Sequence, residues 1–126
     1  MLTIAQITDL HITTDKDRLN QRRNEERLRQ VLKAIHALRP RPVAIIASGD
    51  LVDRGELEEY LELKRLLADC EIPIYFAVGN HDLRGPFLEV FNGLGAQTDS
   101  NGYVQYTADF GDMRMVVCDT LEGENH

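Results

Sequence analysis

Apolar and polar positions follow one another along this chain in blocks whose lengths suit strands and helices in turn. Thr3 to Thr8 is a short apolar-rich run of strand length. After a polar stretch, Leu28, Val31, Leu32, Ile35 and Leu38 recur at the spacing of one helix face. Pro40 and Pro42 close that helix, because proline lacks a backbone donor and disfavours the helical conformation of the residue before it. Val43 to Ala47 is continuously apolar, as expected of a parallel strand covered on both faces. Leu57, Tyr60, Leu61, Leu67 and Ala68 mark a second helix, Pro73 to Val78 a third strand, and Pro86 to Asn92 a short third helix. Beyond residue 103 the period changes. Tyr103 to Phe110 and Met113 to Cys118 flank Gly111-Asp112, a two-residue turn of the kind that closes hairpins. The predicted class is α/β: β-α-β-α-β with right-handed crossovers, then an antiparallel hairpin that extends or covers the sheet.

Composition narrows this picture modestly. A chain of 126 residues suits one domain with its own core. No apolar run approaches the roughly 20 residues needed to span a bilayer. The start, MLTIAQITDLH, has no basic segment ahead of an apolar one, so it does not read as a signal peptide. Cys70 and Cys118 are too few for a disulfide framework, and their apolar neighbours predict buried, reduced thiols and a cytoplasmic setting. The net charge of −7 argues against a general nucleic-acid binder. Residues 12–41 nevertheless carry a local +5 and the remainder −12. That basic stretch reads either as the solvated face of a helix or as a positive rim that attracts an anionic substrate.

The chemistry sits at the strand ends. "TDLH" follows the first strand, "SGDLVDRG" the second and "VGNHD" the third. Open α/β sheets bind ligands beyond the carboxyl ends of their strands. Asp9 and His11 are two apart, so on an extended segment both project to one side. Gly49 and Gly79 permit left-handed backbone and close approach, which brings short ligands such as Asp50 and Asn80 near a common centre. Singly these signals are cheap: an aspartate at a strand end usually caps the next helix, and Asn-His-Asp is usually a satisfied turn. Their recurrence on three consecutive strands is what points to a site. Carboxylate, imidazole and amide oxygen together suit Mn, Fe or Zn, and one carboxylate can bridge two cations. Two metals about 3.5–4 Å apart form the clamp that activates water in phosphoester hydrolysis. His81, beside Asn80, is then free to protonate a leaving alkoxide, with Asp53 as a candidate orienting partner.

In this order and spacing, "DLH", "GDLVDRG" and "GNHD" resemble the calcineurin-like metallophosphoesterases. The short spacing and the "CDTLEGEN" segment are most similar to the bacterial class III cyclic-nucleotide phosphodiesterase and glycerophosphodiesterase group. The resemblance covers essentially all of residues 1–126. It implies that Asp9 and His11 bind a first metal, Asp50 bridges both, and Asn80 binds the second. The two divalent or trivalent ions would be drawn from Mn, Fe, Zn and Co. His81 is implied as catalytic acid or phosphate contact, Asp53 as the acid that supports it, and Arg54 resembles a phosphate-binding arginine. The implied fold is half of a four-layer α/β/β/α metallophosphoesterase sandwich.

The family's later ligands, a histidine after a subsequent strand and a Gly-His-x-His turn, do not occur in this sequence. Residues 1–126 are therefore expected to form the N-terminal part of a single metallophosphoesterase domain, with "TLEGENH" a loop cut in its middle. His36, in the first helix, reads as a solvated residue, and His126 does not fill the gap. The expected activity is hydrolysis of a small phosphodiester, a cyclic nucleotide or glycerophosphodiester, with no membrane partner and room for a homo-oligomer. Activity of the 126 residues alone is expected to be slight. The alternatives are a nuclease of the same superfamily and a non-catalytic binding or scaffold protein on this fold.

Overall fold

A computed structural model describes residues 2–14 and 18–121. Its elements are β1 (Ile4–Ile7), α1 (Arg18–Ala37), β2 (Ala44–Ser48), α2 (Leu57–Leu66), β3 (Ile74–Ala77), α3 (Arg84–Phe91), β4 (Tyr106–Phe110) and β5 (Met113–Val117). The first three strands form a parallel sheet in the order β1-β2-β3. Ile7, Ala47 and Phe76 lie in one row, so the three carboxyl ends finish level with one another.

The two faces of that sheet differ. Ile45, Ala47 and Phe76 share the buried face, and Phe76 stacks on Phe87 and Phe91 of α3 at 6.0 and 4.4 Å between ring centres. The alternate row, Gln6, Ile46 and Tyr75, points the other way. There β4 and β5 form a separate two-stranded sheet that covers the first and does not extend it. Phe110 meets the Tyr75 ring at 5.4 Å, and the Tyr106 hydroxyl accepts from the Phe76 N–H at 3.0 Å. Tyr106 thus caps backbone groups on the outer edge of β3, where an unpaired edge would otherwise be open to other chains.

The helices depart from the sequence reading in detail. Helix α1 begins ten residues before the first residue of the apolar stripe, because its leading half is polar and shows no period. Leu28, Leu32 and Ile35 are buried, whereas Val31 and Leu38 are exposed, Leu38 lying beyond the helix end. His36 is not a solvated residue. Its Nδ1 lies 2.7 Å from the Leu32 carbonyl and its Nε2 accepts from the Glu71 N–H at 3.2 Å, which ties α1 to the loop before β3. The cysteine expectation also fails in part. Both are free, but only Cys70 is partly covered, and Cys118 is exposed because it follows inward-facing Val117 on an alternating strand. Among the described residues, no helix is long and apolar enough to cross a membrane. His126 and the "EGENH" end lie outside the described residues, as do residues 15–17 within the stretch 12–41.

Candidate metal centre

The loops that leave the level ends of β1, β2 and β3 bring the predicted groups together. Among the described residues, Asp9, His11 and Asp50 are the only non-glycine residues with positive φ, at 57°, 46° and 49°. The extended geometry expected for Asp9 and His11 is therefore replaced by left-handed backbone. Each such residue costs about 1–2 kcal/mol, because Cβ crowds the following carbonyl. The surrounding ladder supplies the offset. Asp9 N–H donates to Gly49 O, His11 N–H to Asp50 O and Ile12 N–H to Leu51 O at 3.2, 3.1 and 3.1 Å. The pairing ends on a bridge between Ile12 and Val52, both fully buried together with Leu51. From α1, the Asn24 amide donates to the His11 carbonyl at 2.9 Å.

The second and third loops are pressed against each other, and Gly79 permits it by size and not by dihedral angle. A Cβ there would lie 2.4 Å from Asp50 N and 2.6 Å from Asp50 Oδ1. Gly49 plays the other part, with φ +81° and its nearest would-be contact at 3.7 Å. The Asp50 carboxylate accepts from the His81 N–H at 2.9 Å. In return, buried Asp82 accepts from the N–H groups of Gly79 and Leu51 at 2.8 and 3.3 Å, and from the Tyr60 hydroxyl at 2.8 Å. Burial pushes the Asp82 carboxyl up, with these hydrogen bonds opposing. Glu59, also buried, accepts from the N–H groups of Arg54 and Glu56 and so shapes the loop between them. Arg54 itself is exposed on that loop.

Two clusters of ligand atoms result. Asp9, His11 and Asp50 form one, and His11, Asp53 and His81 the other, with ligand atoms within 4.8 Å of each other in each. His11 Nε2 is 3.9 Å from Asp9 Oδ1, and His11 Nδ1 is 3.6 Å from Asp53 Oδ1. Asn80 closes on the first group from the third loop. Its amide lies against the Asp50 carboxylate and, with the NH₂ turned toward it, donates to the two carboxylate oxygens at 2.9 and 3.2 Å. Oxygen and imidazole donors of this kind fit a hard or borderline metal ion.

His81 is exposed and meets the His11 ring edge-on at 5.0 Å. Its Nδ1 lies 2.8 Å from the backbone carbonyl of Asp53, which leaves Nε2 toward solvent. The orienting group is thus the Asp53 carbonyl, while the Asp53 carboxylate turns to His11. The bond to the Asp53 carbonyl, aided by the charges of Asp50, Asp53 and Asp82, raises the His81 pKa above the ordinary 6.5 against the effect of desolvation.

Behind the site, Arg84 opens α3 and clamps the far end of β5. Its Nε and Nη2 donate to the two Asp119 oxygens at 2.5 and 2.8 Å, and both side chains are buried. Its guanidinium carbon sits 4.9 Å over the Tyr103 ring, and Nη1 is buried without a hydrogen-bond partner among the described residues. Asn24, Glu59 and the Arg84–Asp119 pair escaped the sequence reading, and Tyr60 was read there as a helix marker alone. Only Glu59 had a local signal, since Glu56-x-x-Glu59 has the spacing of a capping box.

The sequence has relatives among known proteins. The family model described as calcineurin-like phosphoesterase matches residues 2–121. A probable cyclic nucleotide phosphodiesterase of Rhodococcus erythropolis is 31% identical over 98% of this chain and 41% of its own length. The 3′,5′-cyclic adenosine monophosphate phosphodiesterase CpdA of Pseudomonas aeruginosa is 28% identical over 93% of the chain and 41% of its own length. The glycerophosphodiester phosphodiesterase GpdQ of Enterobacter lignolyticus is 37% identical over 56% of the chain and 26% of its own length. The chain thus spans less than half the length of each.

Proposed function

The chain belongs to the calcineurin-like phosphoesterase family, and on that premise we propose that it carries the metal-binding N-terminal share of a phosphodiesterase. The observation that carries this reading is the gathering of Asp9, His11 and Asp50 ligand atoms within 4.8 Å of one another, with the Asn80 amide against Asp50. The names of its relatives support a small phosphodiester as substrate, either a cyclic nucleotide or a glycerophosphodiester.

Asp9 and His11 would hold one ion and Asn80 another, with Asp50 shared between them. Ions bound there supply Lewis-acid polarisation of phosphoryl oxygens and a water of lowered pKa. These four side chains leave coordination positions for solvent, for substrate and for further protein ligands. Asp9 and Asn80 are exposed, so a small solute reaches the centre. His81 Nε2 serves as the proton donor to the departing alcohol, held in line by the Nδ1 bond to Asp53 O. Asp53 also turns its carboxylate to His11 and fixes that ring.

The test is metal analysis of the full-length protein together with an ester panel: bis(p-nitrophenyl) phosphate, p-nitrophenyl phosphate, cyclic AMP, glycerophosphocholine and single-stranded DNA. Metal-dependent hydrolysis of small diesters but not of the monoester is expected. Cleavage of DNA alone would make the protein a nuclease, which its net charge of −7 disfavours. Bound metal without hydrolysis of any ester would leave a binding or scaffold role in place of a catalytic one.

A further inference from the structure

Tyr60 is fully buried on α2, its ring edge-on to Phe87 and Phe91 at 5.7 and 6.4 Å. Its hydroxyl donates to Asp82 Oδ1 at 2.8 Å and accepts from the Leu83 N–H at 3.1 Å. Asp82 Oδ2 takes the N–H groups of Gly79 and Leu51 at 2.8 and 3.3 Å. Gly79 immediately precedes Asn80, and Leu51 immediately follows Asp50. One buried carboxylate therefore grips both loops next to the residues read as ligands. A carboxylate gripped on one oxygen alone could rotate about its Cβ–Cγ bond. The Tyr60 hydroxyl holds the other oxygen and aims the first at the two loop amides.

We propose that Tyr60 is a positioning residue for the metal centre: its hydroxyl fixes the Asp82 carboxylate, which sets the separation of Asp50 and Asn80. This rests on the reading of Asp50 and Asn80 as ligands. A core tyrosine that merely satisfies its own hydroxyl contributes to stability and leaves the metal affinity of the folded protein alone. A positioning tyrosine changes that affinity, because partners that orient ligands are typically worth roughly 10–100-fold in metal binding or activity.

The test compares Tyr60→Phe with Leu63→Ala in the full-length protein. Leu63 is fully buried on the same helix and has no polar group, so it calibrates stability loss alone. Mn²⁺ affinity of the metal-free protein is measured by titration calorimetry, alongside thermal melting and steady-state kinetics on bis(p-nitrophenyl) phosphate. Tyr60→Phe is expected to weaken Mn²⁺ binding by roughly 10–100-fold and to lower kcat while KM stays near its wild-type value. Leu63→Ala is expected to melt earlier and to keep the wild-type Mn²⁺ affinity. Wild-type affinity in Tyr60→Phe, or an equal loss in Leu63→Ala, overturns the proposal. Should Tyr60→Phe fail to fold, Asp82→Asn carries the same expectation and the same risk. A wild-type protein that binds no Mn²⁺ overturns the ligand reading itself, a result distinct from two variants that bind alike.

Discussion

Asp50 and Asp82 exchange backbone partners across the gap between two loops. The Asp50 carboxylate accepts from the N–H of His81, while the Asp82 carboxylate accepts from the N–H of Leu51. Each acid thus holds the residue next to the other. Asp50 belongs to the candidate ligand cluster and Asp82 is buried, so one pair of identical side chains divides into a member at the candidate site and a structural one.

That division predicts different losses at Asp50. Asp50→Asn keeps an oxygen for the His81 N–H but removes the charge that the proposed function shares between two ions. Metal content of the purified full-length protein, read by plasma mass spectrometry, should fall, and diester hydrolysis should drop by at least ~100-fold. Unchanged metal content in this variant excludes Asp50 as the shared ligand.

His81 should behave in the opposite way. His81→Ala is expected to retain metal while losing roughly 10²–10⁴-fold in rate, most severely for alcohols that leave poorly. A series of aryl phosphodiesters with graded leaving groups gives the slope. An acid with a raised pKa keeps its proton to higher pH, so an imidazole titration of the metal-free protein should place His81 above 6.5. The rate should fall as pH rises through the value set in the loaded protein.

The two loop glycines separate sterics from backbone strain. Gly79→Ala drives a methyl into Asp50 and should cost about 1–3 kcal/mol together with metal binding. Gly93→Ala has φ +79° with nothing within 4 Å, so it should cost about 1–2 kcal/mol and leave metal binding intact. Urea titrations paired with Mn²⁺ titrations measure both quantities, and equal metal affinity in the two variants would contradict the close-approach account.

The Arg84–Asp119 clamp gives stability its acid limb. Burial alone pushes the Asp119 carboxyl up, but hydrogen bonds from Arg84, Val104 and Leu121 outweigh it, and its pKa falls below the ordinary 3.8. A carboxyl depressed in the folded state contributes stability that is fully present above the unfolded pKa. That contribution is lost as pH falls through the folded value. Arg84→Met should cost about 3–5 kcal/mol near neutral pH, since it strands a buried carboxylate. The gap between variant and wild type in urea melts should shrink as pH falls, because the stranded Asp119 of the variant takes up a proton before the paired one of the wild type; a gap that stays constant down to acid pH argues against the ion pair as its cause.

Much of the frame was readable from residue order. Continuous apolar runs at Val43–Ala47 and Ile74–Val78 announced covered parallel strands, and the polar triplets behind them announced the site. The left-handed backbone at Asp9, His11 and Asp50 was not readable, because local preference opposes it and only the ladder to β2 and the buried Ile12, Leu51 and Val52 impose it. The long polar start of α1 hid Asn24 for a related reason: its partner, the His11 carbonyl, belongs to a different element. Asp53 divided its duties between carbonyl and carboxylate, a distinction residue identity does not carry.

Left-handed backbone at three ligand candidates has a practical consequence for anyone selecting hardier versions of this protein. Glycine relieves that crowding at each of those positions, so Asp9→Gly and His11→Gly are among the simplest changes that could raise the melting temperature. A screen scored on heat resistance alone would be drawn toward the residues that make the site, and would trade activity for durability one ligand at a time.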